Sequence, residues 1–168
     1  LRHAWQLFDW VRLDHFRGFE AYWEVPADAP NAIPGHWVPG PGLPFFQAVE
    51  RQLGQLPLVA EDLGLITPEV ITLRDDLALP GMRVYQFGFD DDYLGKYHRP
   101  PAYPVNCVAY TGTHDNNTLR GWFAEPEQAE RRRRVLEEFA ARPVSDFQVT
   151  NAQLTNTQLT NTQLADAQ

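Results

Sequence analysis

An α/β fold of parallel strands joined by crossover helices is what this sequence predicts, amounting to about four βα units of a TIM-type (β/α)8 barrel. Two observations carry that reading. Strand-like apolar runs alternate with helical stripes along the first 145 residues. In addition, three carboxylates each follow a strand-like run: Asp14 after residues 8–13, Glu61 after 57–60 and Asp115 after 105–110. In a parallel sheet or barrel the carboxyl ends of the strands open on one face, where ligands bind. The three acids are therefore expected to converge on one site.

The elements follow in order. Residues 1–6 read as the end of a helix and 8–14 as a strand. Residues 16–43, rich in Pro, Gly, Trp and Tyr, read as a long loop, and loops of that length are usually functional. Pro44 suits the first turn of a helix with Phe45, Val49 and Leu53 on one face and Gly54 as its stop. Residues 57–61 form the second strand. Thr67 is the N-cap candidate of the next helix, with Pro68 behind it and Val70, Leu73 and Leu77 as its apolar stripe. Pro80-Gly81 breaks that helix before a third strand at 82–87. After the acidic Asp90-Asp91-Asp92 and a Pro- and Tyr-rich loop comes a fourth strand at 105–111, and 127–142 reads as an amphipathic helix.

Four βα units are half of the eight that close a barrel, so the chain reads as a piece of a larger enzyme. It starts with Leu1 inside a helical pattern, which suggests a missing N-terminal part. Two segments are expected: a partial barrel over residues 1–145 and a period-five polar tail over 146–168. In the tail Leu154, Leu159 and Leu164 recur every fifth residue, which is neither helix nor strand periodicity. It reads as a disordered low-complexity tail or as a pentapeptide-repeat-like coil.

Composition narrows the function classes. With 43% hydrophobic residues the chain can bury a core. Its 12% aromatic content, beside many carboxylates, suits sugar binding, because a pyranose offers C–H faces to rings and hydroxyls to acids; a large ordinary core would explain it as well. A net charge of −8 disfavours nucleic acid. The basic run 131–134 is bracketed by Glu127, Glu130, Glu137 and Glu138, so a solvated helix face explains it better than a phosphate site. The one cysteine, Cys107, cannot form an internal disulfide, and a reduced, cytoplasmic protein is expected. No stretch reads as membrane-spanning and no signal peptide opens the chain.

The chemistry sits at the strand ends. Strand alternation puts Arg12 and Asp14 on one side, where the guanidinium would keep the carboxylate ionised, as a glycosyl nucleophile requires. A buried Arg–Asp pair closing a barrel layer fits that segment equally. Glu61 follows an apolar run, so partial desolvation would favour a protonated general acid; a carboxylate capping the next helix is the alternative, and the stronger one for Asp62. His114 and Asp115 lie in a dense polar turn, Thr111 to Thr118 in the order Thr-Gly-Thr-His-Asp-Asn-Asn-Thr, and could grip vicinal sugar hydroxyls. A metal at Asp14-His15 or His114-Asp115 is weakly supported, since no His-x-His or close Cys or His pair is present.

Together these segments resemble the 4-α-glucanotransferases of the amylomaltase or disproportionating-enzyme type, glycoside hydrolase family 77 in the α-amylase clan. The carrying stretches are Val-Arg-Leu-Asp-His-Phe-Arg-Gly-Phe-Glu-Ala-Tyr-Trp ending at Trp23, Ala-Glu-Asp-Leu-Gly-Leu-Ile-Thr-Pro-Glu-Val ending at Val70, Leu-Pro-Gly-Met ending at Met82, and Tyr-Thr-Gly-Thr-His-Asp-Asn ending at Asn116. They occur in the family's order and cover residues 1–123. The resemblance implies a retaining double displacement on α-1,4-glucans such as maltodextrins, with neither metal nor cofactor. It assigns Asp14 as nucleophile, Glu61 as general acid/base and Asp115 as transition-state stabiliser. Arg12 and His114 match residues that hold the nucleophile and the donor sugar, His15 belongs to the same motif, and Tyr22 and Trp23 border the glucan groove. Two departures stand out. Asn117 replaces a carboxylate that the family pattern usually carries, with a modest effect expected on the site, and the tail replaces the family's C-terminal part. Two further readings stay open: a truncated, inactive remnant of that enzyme, and a non-catalytic α-glucan-binding fragment. Nothing in the sequence specifies the oligomeric state.

Overall fold

Parallel pairing at the strand ends organises the chain, whose structure, a computed structural model, describes residues 1–90, 94–125 and 129–140. Strand β1 (Val11–Leu13) pairs in parallel with β4 (Leu58–Ala60), with Leu13 opposite Ala60. Strand β5 (Gly81–Val84) pairs in parallel with β6 (Cys107–Tyr110), with Val84 opposite Tyr110. A backbone hydrogen bond from the Ala60 N–H to the Pro80 carbonyl, 2.9 Å, joins the two pairs. The expected parallel α/β arrangement is present, with shorter strands than the apolar runs suggested.

Helix α1 (Gly42–Leu53) connects β1 to β4, and Gly54 ends it at φ +86°, a conformation glycine adopts without steric cost. Helix α2 (Pro68–Asp76) starts where Thr67 and Pro68 predicted. The Thr67 backbone is extended as an N-cap requires, but its hydroxyl caps no backbone N–H. Instead the Thr67 side chain bonds Glu69 and holds that carboxyl below its ordinary pKa.

The core forms where these layers meet. All three residues of β4 are buried, as in a strand covered on both faces. Phe16, Phe46, Leu58, Ala60, Val70, Leu73 and Leu79 make one cluster, and Phe19 and Phe45 pack onto it with ring centroids of Phe19 and Phe46 4.9 Å apart. Phe89 and Trp122 are buried beside each other past the ends of β5 and β6, with ring centroids 6.1 Å apart.

Three expectations need correction, and one element was not anticipated. The segment 16–43 is not a loop throughout: a 3-10 turn, Phe16–Phe19, leads into an antiparallel ribbon of β2 (Ala21–Glu24) and β3 (His36–Pro39), and α1 begins at its end. Pro and Gly density concealed a ribbon whose strands carry Tyr22, Trp23, Trp37 and Val38. The third strand stops at Val84 because Tyr85–Phe89 turn into a 3-10 helix. Residues 1–6 hold only a 3-10 turn, Ala4–Gln6. Finally, a short helix α3 (Leu119–Ala124), capped by the Thr118 hydroxyl accepting from the Gly121 N–H, follows β6 and lacked a sequence signal of its own.

Helix α4 (Ala129–Ala140) opens a second unit; Arg133 bridges Glu130 and Glu137 on it, which is the solvated charge pattern expected. The period-five tail lies outside the described residues.

Asp62 holds β4 to β5 where ladder bonds are few. Its side chain is 3% exposed. Oδ1 accepts the Met82 N–H at 2.6 Å, and Oδ2 accepts Nη1 of Arg74 at 2.5 Å and Nη1 of Arg83 at 3.3 Å. Asp62 is therefore no helix cap: it ties the end of β4 to α2 and β5. Burial pulls the Arg74 pKa down, but bonds to Asp75 and Asp62 outweigh it and leave it raised. Gly81 is required beside this carboxylate, because a Cβ there would sit 2.4 Å from Asp62 Oδ2.

Removing one partner of a buried charge cluster leaves the others uncompensated, so Asp62→Ala is expected to cost about 3–5 kcal/mol. Gly81→Ala, an overpacking change, is expected to cost about 1–3 kcal/mol. Both should lower the urea midpoint at unchanged slope. An Asp62→Ala chain as stable as the parent would remove the carboxylate from this role.

Candidate functional site

The end of β1 supplies the first group. Nη1 of Arg12 lies 2.8 Å from Asp14 Oδ1, so the two side chains share a side as strand alternation predicted. Arg12 Nε also donates to Met82 Sδ at 3.3 Å, reaching past β4 to β5. Asp14 remains 76% exposed, so the pair is not a buried closure of a barrel layer: the guanidinium orients a carboxylate that solvent and ligand can reach.

His15 follows in the left-handed region, φ 49° and ψ 51°. That conformation costs a non-glycine residue of order 1 kcal/mol and persists only where surroundings hold it. Here it aims the His15 N–H at Oε2 of Glu61, 2.8 Å away. Glu61 Oε1 accepts the Leu63 N–H, also at 2.8 Å. Its backbone is fixed as well: the Glu61 N–H donates to the Leu13 carbonyl and the Glu61 carbonyl accepts from the Phe16 N–H. Glu61 is half-buried and held at both oxygens by backbone. The residue after Asp14 thus donates directly to Glu61, so these two carboxyl groups occupy adjoining strand ends.

The third group lies past β6. His114 Nε2 is 3.4 Å from Asp115 Oδ1, and the Asp115 N–H donates to the Thr113 hydroxyl at 3.3 Å. Asn116 closes the turn by accepting from the Thr113 N–H and hydroxyl, both at 2.9 Å. Asp115 is 77% exposed and, because β6 runs parallel to β5, follows its strand at the same end of that pair as Val84 of β5. Among the described residues no hydrogen bond or ion pair ties His114 or Asp115 to Asp14 or Glu61.

Tyr22 and Trp23 sit on the β2–β3 ribbon, both part-exposed. Trp23 faces Trp37 across the ribbon with ring centroids 5.3 Å apart, and its Nε1 donates to the Ala32 carbonyl.

Sequence reasoning missed several participants. Gln86 is 3% exposed and donates to the Asn117 carbonyl at 2.9 Å, joining the β5 end to the turn that carries Asp115. His98 accepts the Val84 N–H on Nδ1, which places its ring proton on Nε2. Both are polar residues in apolar surroundings, a pattern that marks internal bonding without naming the partner. Asn117 also braces the turn into α3. Its amide donates to Glu125 Oε1 at 2.8 Å, and its Oδ1 accepts the Thr118 N–H. A carboxylate there could not donate and would face Glu125. Among the described residues no group of three or more His, Cys, Asp or Glu side chains is placed to hold a metal ion, and no helix is long and apolar enough to cross a membrane.

The family model for 4-alpha-glucanotransferase, glycoside hydrolase family 77, matches residues 1–167. The chain belongs to this family. The match runs beyond the residues 1–123 read from the motifs. A 4-alpha-glucanotransferase of Thermus thermophilus is 48% identical over 152 residues, which is 89% of this chain and 29% of the relative. One from a Synechocystis species is 56% identical over 122 residues, 71% of this chain and 24% of the relative. Among solved structures, an amylomaltase from Streptococcus agalactiae in complex with acarbose superposes with a TM-score of 0.71 at 36% identity, covering 85% of this chain and 28% of that one. The chain thus spans between about a quarter and three tenths of the length of these family members.

Two outcomes are expected. Asn117→Asp should lose about 1 kcal/mol of stability through the broken amide–carboxylate bond, measured by urea unfolding at neutral pH. Burial pushes the Cys107 thiol on β6 up, against an opposing pull from Arg83. A raised pKa leaves less thiolate at any given pH, so iodoacetamide should modify Cys107 more slowly than free glutathione at mildly alkaline pH, and urea should abolish the difference.

Proposed function

We propose that this chain carries the catalytic carboxylates of a 4-alpha-glucanotransferase, moving α-1,4-glucan segments between maltodextrin chains by a retaining double displacement. The observation that carries it is the hydrogen bond from the His15 N–H to Glu61, which puts the acid/base carboxyl next to the residue after Asp14. A retaining mechanism needs its two carboxyl groups about 5–5.5 Å apart, which adjoining parallel strand ends can supply. On this reading β1, β4, β5 and β6 are an arc of a (β/α)8 barrel, with the site at its carboxyl face.

Asp14, oriented by Arg12, attacks the anomeric carbon while Glu61 gives its proton to the departing glycosidic oxygen. The glucan that leaves is the reducing-end piece, and the rest stays esterified to Asp14. The 4-hydroxyl of an incoming glucan then loses its proton to Glu61 and attacks the same carbon, which releases Asp14 and restores both residues. Asp115 and His114 hold the hydroxyls of the reacting sugar, where a bond to the 2-OH that tightens in the transition state lowers the barrier. These steps balance with the side chains alone and call for neither metal nor cofactor. A cytoplasmic setting rests on the lone thiol, Cys107.

A second reading, glucan binding without turnover, draws on the exposed indoles of Trp23 and Trp37. Products from maltotriose separate the two. Glucose together with longer maltodextrins, lost in Asp14→Asn and in Glu61→Gln, is expected from a transferase; each substitution should lower the rate by at least about 10³-fold. Absence of products, with amylose binding that survives Asp14→Asn and Glu61→Gln combined, would support the binding reading.

A further inference from the structure

Arg17 is a buried cation held without a carboxylate. It is 8% exposed, and among the described residues it forms no ion pair. Its Nη1 donates to the Leu65 carbonyl, and its Nε has no acceptor among the described residues. Burying a charge without a counter-ion is unfavourable unless something else offsets it. The offset visible here is the ring of Trp37, whose centroid lies 4.2 Å from the guanidinium carbon. Arg17 therefore touches two segments at once. One is the ribbon strand β3; the other is the loop after β4, two residues beyond the Leu63 N–H that holds Glu61.

Trp37 is 47% exposed even with this contact, so its ring retains surface for a ligand. Its neighbour Trp23 is held by the bond to Ala32, so the aromatic edge is set in place before any ligand arrives. A rigid indole with little entropy left to lose is a good stacking surface for the C–H face of a pyranose. Lysine at position 17 would keep the charge but not the planar group that lies over the indole.

We propose that Arg17 is a positioning residue that fixes Trp37 against the loop following Glu61, making Trp37 a stacking contact for an α-1,4-glucan beside the acid/base. The proposal rests on the glucanotransferase reading for its ligand, and adds Trp37 and Arg17 to the site.

The full chain labelled with 5-fluorotryptophan provides the test, since fluorine NMR resolves each indole and Trp37→Leu assigns the Trp37 signal. Maltoheptaose is the probe, with cellohexaose as the β-linked control. Maltoheptaose alone should shift the Trp37 signal. Arg17→Lys should move that signal before any sugar is added, leave those of Trp5 and Trp122 in place, and weaken maltoheptaose binding on the order of tenfold. The unchanged Trp5 and Trp122 signals separate a positioning effect from general loosening. Should Arg17→Lys fail to fold, Trp37→Leu at an exposed ring still decides, because it must weaken maltoheptaose binding at least as much. Equal affinity of Trp37→Leu and parent would overturn the proposal, as would a Trp37 signal that ignores maltoheptaose. In either case, transfer products from maltotriose show separately whether the glucanotransferase reading survives.

Discussion

The buried carboxylate of Asp62 is the constraint on which the arrangement of strands depends. The strands are three or four residues long, and β4 and β5 share one backbone hydrogen bond across their boundary. Ladder bonding of that extent would leave the register between the two pairs poorly specified. Asp62 supplies what is missing by accepting a β5 backbone N–H and two guanidinium groups. Its neighbour Gly81 carries no side chain, and the carboxylate occupies that space. Because Asp62 follows Glu61 directly, the same contacts fix the peptide from which the Glu61 side chain projects.

The candidate site is built on top of that frame, and its Glu61 is held by backbone rather than side-chain bonds. Glu61 is oriented by two N–H groups, one from its own turn and one from His15 in a left-handed conformation. Backbone donors cannot swing away as side chains can, so the carboxyl is held in one orientation. Asp14 and Asp115, by contrast, are exposed, and the basic neighbours that meet them are Arg12 and His114. The division is chemically sensible. On the proposed reading, a proton shuttle needs fixed geometry toward two different oxygens, whereas a nucleophile and a hydroxyl clamp need access.

The ribbon between β1 and α1 turns a segment that reads as loop into a platform. Its Trp37 indole sits over Arg17, which reaches back to the loop after β4. Aromatic residues in this chain thus serve two purposes. Phe16, Phe19, Phe45 and Phe46 form core, while Trp23 and Trp37 stay open to solvent. Composition could not tell these apart, because burial depends on which face of which element each ring occupies.

From sequence alone the parallel order of strands and helices was legible, as were the candidate site residues at their ends. Each rests on local signals: apolar runs, proline and glycine stops, and an acid just past a strand. Arg12 and Asp14 could be placed on one side because strand alternation is a property of the chain itself. The partners of Asp62, the bond from His15 to Glu61, the Arg17–Trp37 stack and the amide of Asn117 facing Glu125 were not legible. Each joins residues between 8 and 46 positions apart, or is set by how a ribbon folds over a strand end. Local propensity determines which elements form. Which buried charge meets which donor is decided only when packing removes water and every remaining polar group must find a partner.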